Sequence, residues 1–191
     1  GIFPLKTEGL PGIVTSPFIH SGFKHLINNS VPLFLLGTGI FYFYRRLAVQ
    51  ITLIIFFVTG LLVWLGARES YHIGASGLVY GFAGFLFFSG VFRKDRRLSA
   101  ISLLIVFLYG GMVWGIFPIK QGVSWEGHLA GLVTGTVLAV FYRHHGPARD
   151  DETFEEDEEE ADPESSFLDR YEIRYFLTED PPGDEKEEHK D

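Results

Sequence analysis

Residues 51–65 read ITLIIFFVTGLLVWL, inside a longer apolar stretch at 48–66, and carry no charged side chain. A surface helix of a soluble protein has a polar face, whereas a helix that is apolar on every side is buried or spans a membrane. Four more apolar stretches accompany it, at residues 26–44, 74–92, 98–117 and 125–142. Each approaches the ~20 residues that a helix needs to cross ~30 Å of hydrocarbon. We therefore predict an all-α fold, a polytopic bundle of transmembrane helices.

Charge divides the chain into two parts. Residues 1–146 contain eleven Lys or Arg and four acidic residues, a formal charge of +7, whereas residues 147–191 contain five basic and twenty acidic residues, a charge of −15. The second part is too poor in aliphatic residues to offset the entropy of ordering. We predict a membrane core at 1–146 and a mainly disordered acidic tail at 147–191. The aromatic cluster between Phe167 and Leu177 is a candidate docking segment for a cytoplasmic partner, or simply part of a solvated tail.

Basic residues in the connections predict the orientation of the helices. They follow the first, third and fifth stretches: Arg45 and Arg46, then Arg93, Lys94, Arg96 and Arg97, then Arg143. Because Lys and Arg accumulate on the cytoplasmic side, these three ends and the tail should face the cytoplasm. The starts of the same three stretches then lie together at the extracytoplasmic surface. The chain starts at Gly1 without an initiating Met or a signal-peptide pattern, so we expect it to begin inside a longer protein. Five spans would place residues 1–24 outside the cell, which fits a further helix ahead of Gly1.

Ser76 lies at the start of the third stretch, in a Gly-Ala-Ser-Gly sequence that begins at Gly74. A serine near a helix N-terminus has free backbone N–H groups beside it and the positive end of the helix dipole, which suits an oxyanion. The alternative is a packing patch of small residues, since glycines recur every four positions from Gly77 and around Gly131. The two interpretations are compatible, because close packing of these helices would bring Ser76 towards His128. The chain has no cysteine, so a thiol nucleophile, a disulfide and a zinc–thiolate site are excluded.

His128 begins the fifth stretch and has no carboxylate at its depth apart from Glu126, just outside the span. A pair of Ser76 and His128 is therefore favoured over a triad that includes an acid. Tyr80 is one helical turn beyond Ser76 on the same face, so we expect its ring to stack on His128. A lone membrane histidine could instead be a proton relay, a haem or metal ligand, or a hydrogen bond between helices.

His25 and Asn29 are spaced four residues apart near the start of the first stretch and so share one helix face. Both can donate hydrogen bonds, and with the Ser76 backbone N–H they could surround a developing negative charge. The alternative is a hydrated helix entrance, which we favour for Asn28 and His72. For His25 and Asn29 the common depth with Ser76 favours a functional role.

Three motifs, in this order and on alternate helices, resemble the rhomboid family: His20, His25 and Asn29; then Gly74, Ser76, Gly77 and Tyr80; then Gly127, His128 and Gly131. The resemblance covers about residues 12–142 and is specific only in the combination of motifs. It implies a rhomboid-like six-helix core, whose first helix would precede this chain. It also implies an integral multi-pass protein, in the plasma (inner) membrane, whose active site faces the extracytoplasmic side.

The activity that the resemblance implies is that of a serine-type endopeptidase acting within the membrane. Such an enzyme lies in the lipid bilayer and cleaves membrane-anchored proteins. It needs no metal or cofactor and binds no nucleic acid. The resemblance makes Ser76 the nucleophile and His128 the base, with His25 and Asn29 at the oxyanion site. His20, Gly74, Gly77 and Gly131 would be structural, and the fourth stretch with the loop 117–124 would form a cap and lateral gate. This sequence departs from the family in lacking a Trp-Arg pair in residues 1–19 and in having Gly127 where Ala is frequent.

Two other functions compete with proteolysis. A non-catalytic rhomboid-like protein would bind transmembrane clients without cleaving them, but proteins of that kind typically lack the serine or the histidine. A small transporter with His128 as a proton relay would need a charged pathway, and nothing else in the spans supplies one.

Overall fold

A computed structural model of the chain describes residues 1–108, 112–119 and 122–146. These residues are largely helical and include no named strand, which confirms the predicted all-α fold. The elements in chain order are a 3-10 turn at Thr7–Gly9, α1 (Gly12–Thr15), a second 3-10 turn at Ser16–Phe18, α2 (Phe23–Phe43), α3 (Ala48–Gly66), α4 (Ser76–Arg93), α5 (Arg96–Leu108), α6 (Met112–Gly115) and α7 (Trp125–Phe141).

Three of these helices, α2, α3 and α4, are long and apolar enough to cross a membrane. The chain is an integral membrane protein. Helix α7 has 17 residues and α5 has 13, so both are shorter than the apolar stretches that predicted them. The predicted fourth stretch, 98–117, contains most of α5 and all of α6. The predicted acidic tail and its aromatic cluster lie outside the described residues.

Helix α4 is the centre of the bundle. In an apolar segment of 18 residues taken from each of the three long helices, 61% of the residues are buried in α4, against 28% in α2 and 33% in α3. It packs against α2, α3, α5 and α7, and its Phe85 and Leu86 are fully buried. The residues on either side of Ser76 are therefore held by neighbours on several sides, while the outer helices present apolar side chains to lipid.

Glycines allow α4 and α7 to pack backbone against backbone. A Cβ added at Gly131 would overlap the carbonyl oxygen of Gly77, and one added at Gly135 would overlap that of Gly81. Small residues at such an interface let two membrane helices approach closely. The packing patch predicted from the glycine spacing is therefore present, and it holds the helix that begins at Ser76 against the helix that carries His128.

The C-terminal ends of α2, α4 and α7 lie at one end of the bundle. A Cβ added at Gly146 would lie 3.0 Å from Tyr44 Cε1 and 3.1 Å from Arg93 Cζ, and Arg93 Nη1 donates to the Arg143 carbonyl at 3.0 Å. Lys94 ends α4 in the left-handed conformation, at φ 59°. The pattern of basic residues thus grouped these three ends correctly, and the membrane side that they face stays a prediction.

Candidate active site

The turn before α4 determines where Ser76 lies. Gly74 adopts φ +99°, a conformation that disfavours residues with a Cβ, and its N–H donates to the Ser16 carbonyl at 2.9 Å. The predicted stretch began at residue 74, but α4 begins at Ser76, because the two preceding residues form this turn. Ser76 is therefore the first helical residue, where backbone N–H groups have no partner within the helix.

Ser76 and His128 form a hydrogen bond across the α4–α7 interface. The distance from Ser76 Oγ to His128 Nε2 is 2.8 Å, and His128 is only 8% exposed. The other ring nitrogen, Nδ1, lies 2.7 Å from the Gly115 carbonyl oxygen of α6. A carbonyl can only accept, so Nδ1 carries the proton in the neutral ring and Nε2 is free to accept from the serine hydroxyl. A backbone carbonyl thus orients the ring, as a carboxylate does in an acid-containing triad.

The Tyr80 ring packs face to face on His128. The ring centroids are 4.2 Å apart and the planes differ by 9°. Tyr80 is 8% exposed, four residues after Ser76 on the inner face of α4. The imidazole is therefore restrained by a stacked ring on its face and by hydrogen bonds at both nitrogens.

His25 and Asn29 lie over the Gly74 turn. A Cβ added at Gly74 would lie 2.8 Å from His25 Nε2 and 3.2 Å from Asn29 Nδ2. The Ser21 N–H donates to His25 Nδ1 at 3.4 Å, so the proton of the neutral His25 ring is on Nε2, the atom nearest Gly74. Asn29 Nδ2 is buried and has no hydrogen-bond partner among the described residues. Two side-chain donors thus converge beside the start of α4.

His20 contacts His25 through its ring rather than through a hydrogen bond that the structure describes. Its ring meets the His25 ring edge to face, with centroids 5.0 Å apart at 76°. The contact places His20 beside one of the two side-chain donors, and its structural role stays a prediction.

Three groups at the site were not predicted from the sequence: the Gly115 carbonyl, Ser124 and His72. Ser124 is the N-cap of α7, and its hydroxyl oxygen accepts from the Gly127 N–H at 3.4 Å. A serine directly before an apolar helix is a recognisable start signal and could have identified it. His72 was assigned to a hydrated entrance, which is wrong, since it is 4% exposed and bonded through both ring nitrogens. Asn28, for which we also favoured a hydrated helix entrance, is exposed, as that interpretation requires.

A cavity of about 40 Å³ lies beside Ser76, with Ser16, Thr59, His72 and Ser124 among the polar residues that line it. This volume suits about one water molecule, and the buried Thr59 hydroxyl has no partner among the described residues. Among the described residues, no group of three or more His, Asp or Glu side chains is placed to hold a metal ion.

Comparison with models of protein families shows which family the chain belongs to. The family model of the rhomboid domain matches residues 8–145, which includes every described residue of the site. The chain belongs to the rhomboid family. The rhomboid match extends from the first 3-10 turn to beyond the end of α7, so it includes all seven α-helices of the described residues.

Several curated proteins resemble this rhomboid. An uncharacterized protein of Mycobacterium tuberculosis (strain H37Rv) is 40% identical, over 73% of this chain and 62% of its own length. An uncharacterized protein of Mycobacterium leprae is 36% identical, over 73% of this chain and 59% of its own length. The Bacillus subtilis protein named "Putative rhomboid protease YdcA" is 28% identical, over 66% of this chain and 64% of its own length. The rhomboid chain thus spans about three fifths of the length of the mycobacterial relatives.

Proposed function

We propose that this rhomboid is an intramembrane serine endopeptidase that cleaves membrane-anchored proteins near the extracytoplasmic surface of the bilayer. The observation that carries the proposal is the 2.8 Å bond from Ser76 Oγ to His128 Nε2, in a ring whose Nδ1 is bonded to the Gly115 carbonyl. An orienting group for the base is the feature that distinguishes an activated nucleophile from a serine merely close to a histidine.

The proposed reaction proceeds through an acyl-enzyme. Ser76 Oγ attacks the scissile carbonyl carbon while His128 Nε2 takes the hydroxyl proton. The tetrahedral intermediate collapses when His128 donates that proton to the leaving amine, which breaks the C–N bond and leaves an ester on Ser76. Water then attacks the ester, His128 again accepts and returns a proton, and Ser76 is released as the hydroxyl. The Gly115 carbonyl stabilises the charged ring at Nδ1–H in each step.

The oxyanion would be bound by the Ser76 backbone N–H, His25 Nε2–H and Asn29 Nδ2. The two side-chain groups approach each other around Gly74, two residues before Ser76, as their distances from a Cβ added at Gly74 indicate. They are fixed before the substrate arrives, since His25 is held by Ser21 and Asn29 is buried. Such donors stabilise the charge that develops in the transition state rather than the substrate itself.

The substrate class follows from the environment of the site. Helices with apolar outer faces surround the dyad, so a substrate reaches it from the lipid or from the adjacent surface. We propose transmembrane proteins as substrates, entering past the fourth stretch and the loop at 117–124 as cap and gate. We propose a plasma (inner) membrane location, as the family resemblance implies. The distribution of Arg and Lys supports an orientation with the tail in the cytoplasm and the site on the other side.

The proposal is tested with the full chain in liposomes and a fluorophosphonate, a reagent that phosphonylates activated serines. We expect mass spectrometry to find the adduct on Ser76. We also expect the protein to cleave model transmembrane substrates, and the same reagent to inhibit this cleavage. Binding of these substrates without cleavage or adduct would contradict the proposal and favour the non-catalytic binder.

Replacement of Asn29 by alanine tests the oxyanion site. We expect kcat to fall by about 10²- to 10³-fold with KM nearly unchanged, because the lost donor acts on the transition state. The exposed neighbour Asn28 provides the matched control, since Asn28→Ala removes the same group one position away. Equal activity of the two variants in the liposome cleavage assay would remove Asn29 from the oxyanion site.

A further inference from the structure

A second Ser–His hydrogen bond lies one turn from the first. His72 Nδ1 is 2.6 Å from Ser124 Oγ, and these residues precede Ser76 and His128 by four positions each. Both pairs are separated by 52 residues in the chain, but the serine comes first in one and the histidine in the other. The two bonds join the same two segments: the end of the α3–α4 connection with the start of α4, and the start of α7.

The donors in the second pair can be assigned. His72 Nε2 lies 3.1 Å from the Arg68 carbonyl, which only accepts, so the proton of the neutral ring is on Nε2. Nδ1 therefore accepts from the Ser124 hydroxyl, whose oxygen in turn accepts from the Gly127 N–H. The His72 ring carries its proton on the opposite nitrogen from His128. It links the α3–α4 connection to the N-cap of α7.

His72 is itself firmly held. Its N–H and carbonyl pair with Ile2 at 2.8 and 2.9 Å, and its side chain is 4% exposed. Two residues later, the Gly74 N–H is bonded to the Ser16 carbonyl. The turn that leads into Ser76 is thus fixed by its backbone, and the His72 ring transmits that fixed position to α7.

A second, more exposed contact joins the same segments. Arg68 Nη2 donates to the Val123 carbonyl at 2.7 Å, and Arg68 Nε lies 3.6 Å from Glu126 Oε1. The Arg68 side chain is 45% exposed, so solvent screens this ion pair. The His72–Ser124 bond is partly buried, with the His72 side chain 4% exposed, so solvent competes with it less. It is therefore the stronger restraint at this end of the helix pair.

The geometry points to His72 as a positioning residue for the dyad, acting through Ser124 on the helix that carries His128. This inference rests on the proposed function. The glycine contacts bring α4 and α7 together along their length, and the His72–Ser124 bond adds a restraint at the helix starts, next to Ser76. His128 is one turn from Ser124, and its N–H is bonded to the Ser124 carbonyl at 3.2 Å. A displacement of the cap therefore displaces the base, and small displacements of reacting groups are costly.

Two amide variants separate the roles of the two ring nitrogens. In His72→Asn the amide oxygen can replace Nδ1 as the acceptor for Ser124, whereas in His72→Gln the longer amide can replace Nε2 as the donor to Arg68. We expect His72→Asn to keep kcat within about threefold of the unmodified chain, and His72→Gln to lower it roughly 10- to 100-fold with KM unchanged. A residue needed only for local loop stability would not produce this order.

Ser124→Ala provides a second route to the same contact. We expect it to lower kcat at least as much as His72→Gln, because it removes both the bond to His72 and the acceptor for the Gly127 N–H. The double variant should be no worse than Ser124→Ala alone, because the His72–Ser124 bond is already absent from that variant. Hydrogen–deuterium exchange at the Gly127 and His128 amides should increase in His72→Gln and Ser124→Ala but not in His72→Asn. Equal kcat for the two amide variants, or additive losses, would overturn the role of His72. An unmodified chain that neither cleaves nor is labelled would instead refute the proposed function, while the exchange comparison would still report the His72–Ser124 link.

Discussion

Ser76→Ala is expected to abolish fluorophosphonate labelling and to lower substrate cleavage by on the order of 10⁴-fold or more. The variant removes only the hydroxyl oxygen, so it cannot form the ester on which the proposed reaction depends. The backbone N–H of residue 76 and the donors on His25 and Asn29 remain, so substrate binding should be preserved. The measurement is the cleavage rate in liposomes, with labelling of the same samples.

The matched control for this change is Ser30→Ala, which removes an exposed serine hydroxyl from α2. It should be labelled and should cleave at the rate of the unmodified chain. Because the Ser76 hydroxyl contributes one hydrogen bond at the end of a helix, Ser76→Ala should melt within a few degrees of the control. Retained labelling of Ser76→Ala would show that another residue is the nucleophile.

Gly131→Ala is expected to destabilise the bundle and to separate the dyad. The new Cβ would overlap the Gly77 carbonyl, which is backbone and can move only if α4 and α7 separate. Overpacking of this kind costs about 1–3 kcal/mol. Because the same interface brings His128 to Ser76, we expect the labelling rate to fall by about 10²-fold at temperatures where the protein is still folded.

Gly37→Ala is the control for the added methyl group. Its Cβ would lie 3.6 Å from the nearest side-chain atom, Phe82 Cε2, which is an ordinary contact, and alanine favours the helix over glycine. This variant should melt at or above the temperature of the unmodified chain and keep its labelling rate. If both glycine variants behave alike in melting and labelling, the α4–α7 contact does not control the dyad.

The helices were largely predictable because the signal for a membrane span is local. In the absence of water, the backbone N–H and C=O groups of an apolar run must form hydrogen bonds within their own helix. The apolar stretch at 48–66 therefore predicted α3 with the bounds that the structure shows. The start of α4 was placed two residues early, because the turn at Gly74 depends on a bond to Ser16 that lies far away in the sequence. The predictions for the tail are not addressed by the described residues.

The candidate site was predictable where two of its residues lie four positions apart on one helix. Tyr80 follows Ser76 by four residues and Asn29 follows His25 by four, so a shared face could be deduced from helix geometry. The burial of His72 could not be deduced, because a polar residue outside a span looks solvated until its partners are known. Ser124, 52 residues away, is its partner.

The Ser76–His128 pair shows where sequence and tertiary structure each contribute. The sequence by itself determined that the chain spans a membrane, which residues could act as nucleophile and base, and that glycines would let their helices pack closely. Only the tertiary structure decided which nitrogen of His128 faces the serine, because the deciding group is the Gly115 carbonyl. A backbone carbonyl is present in every residue and has no sequence signature, so its role depends entirely on where the fold places it.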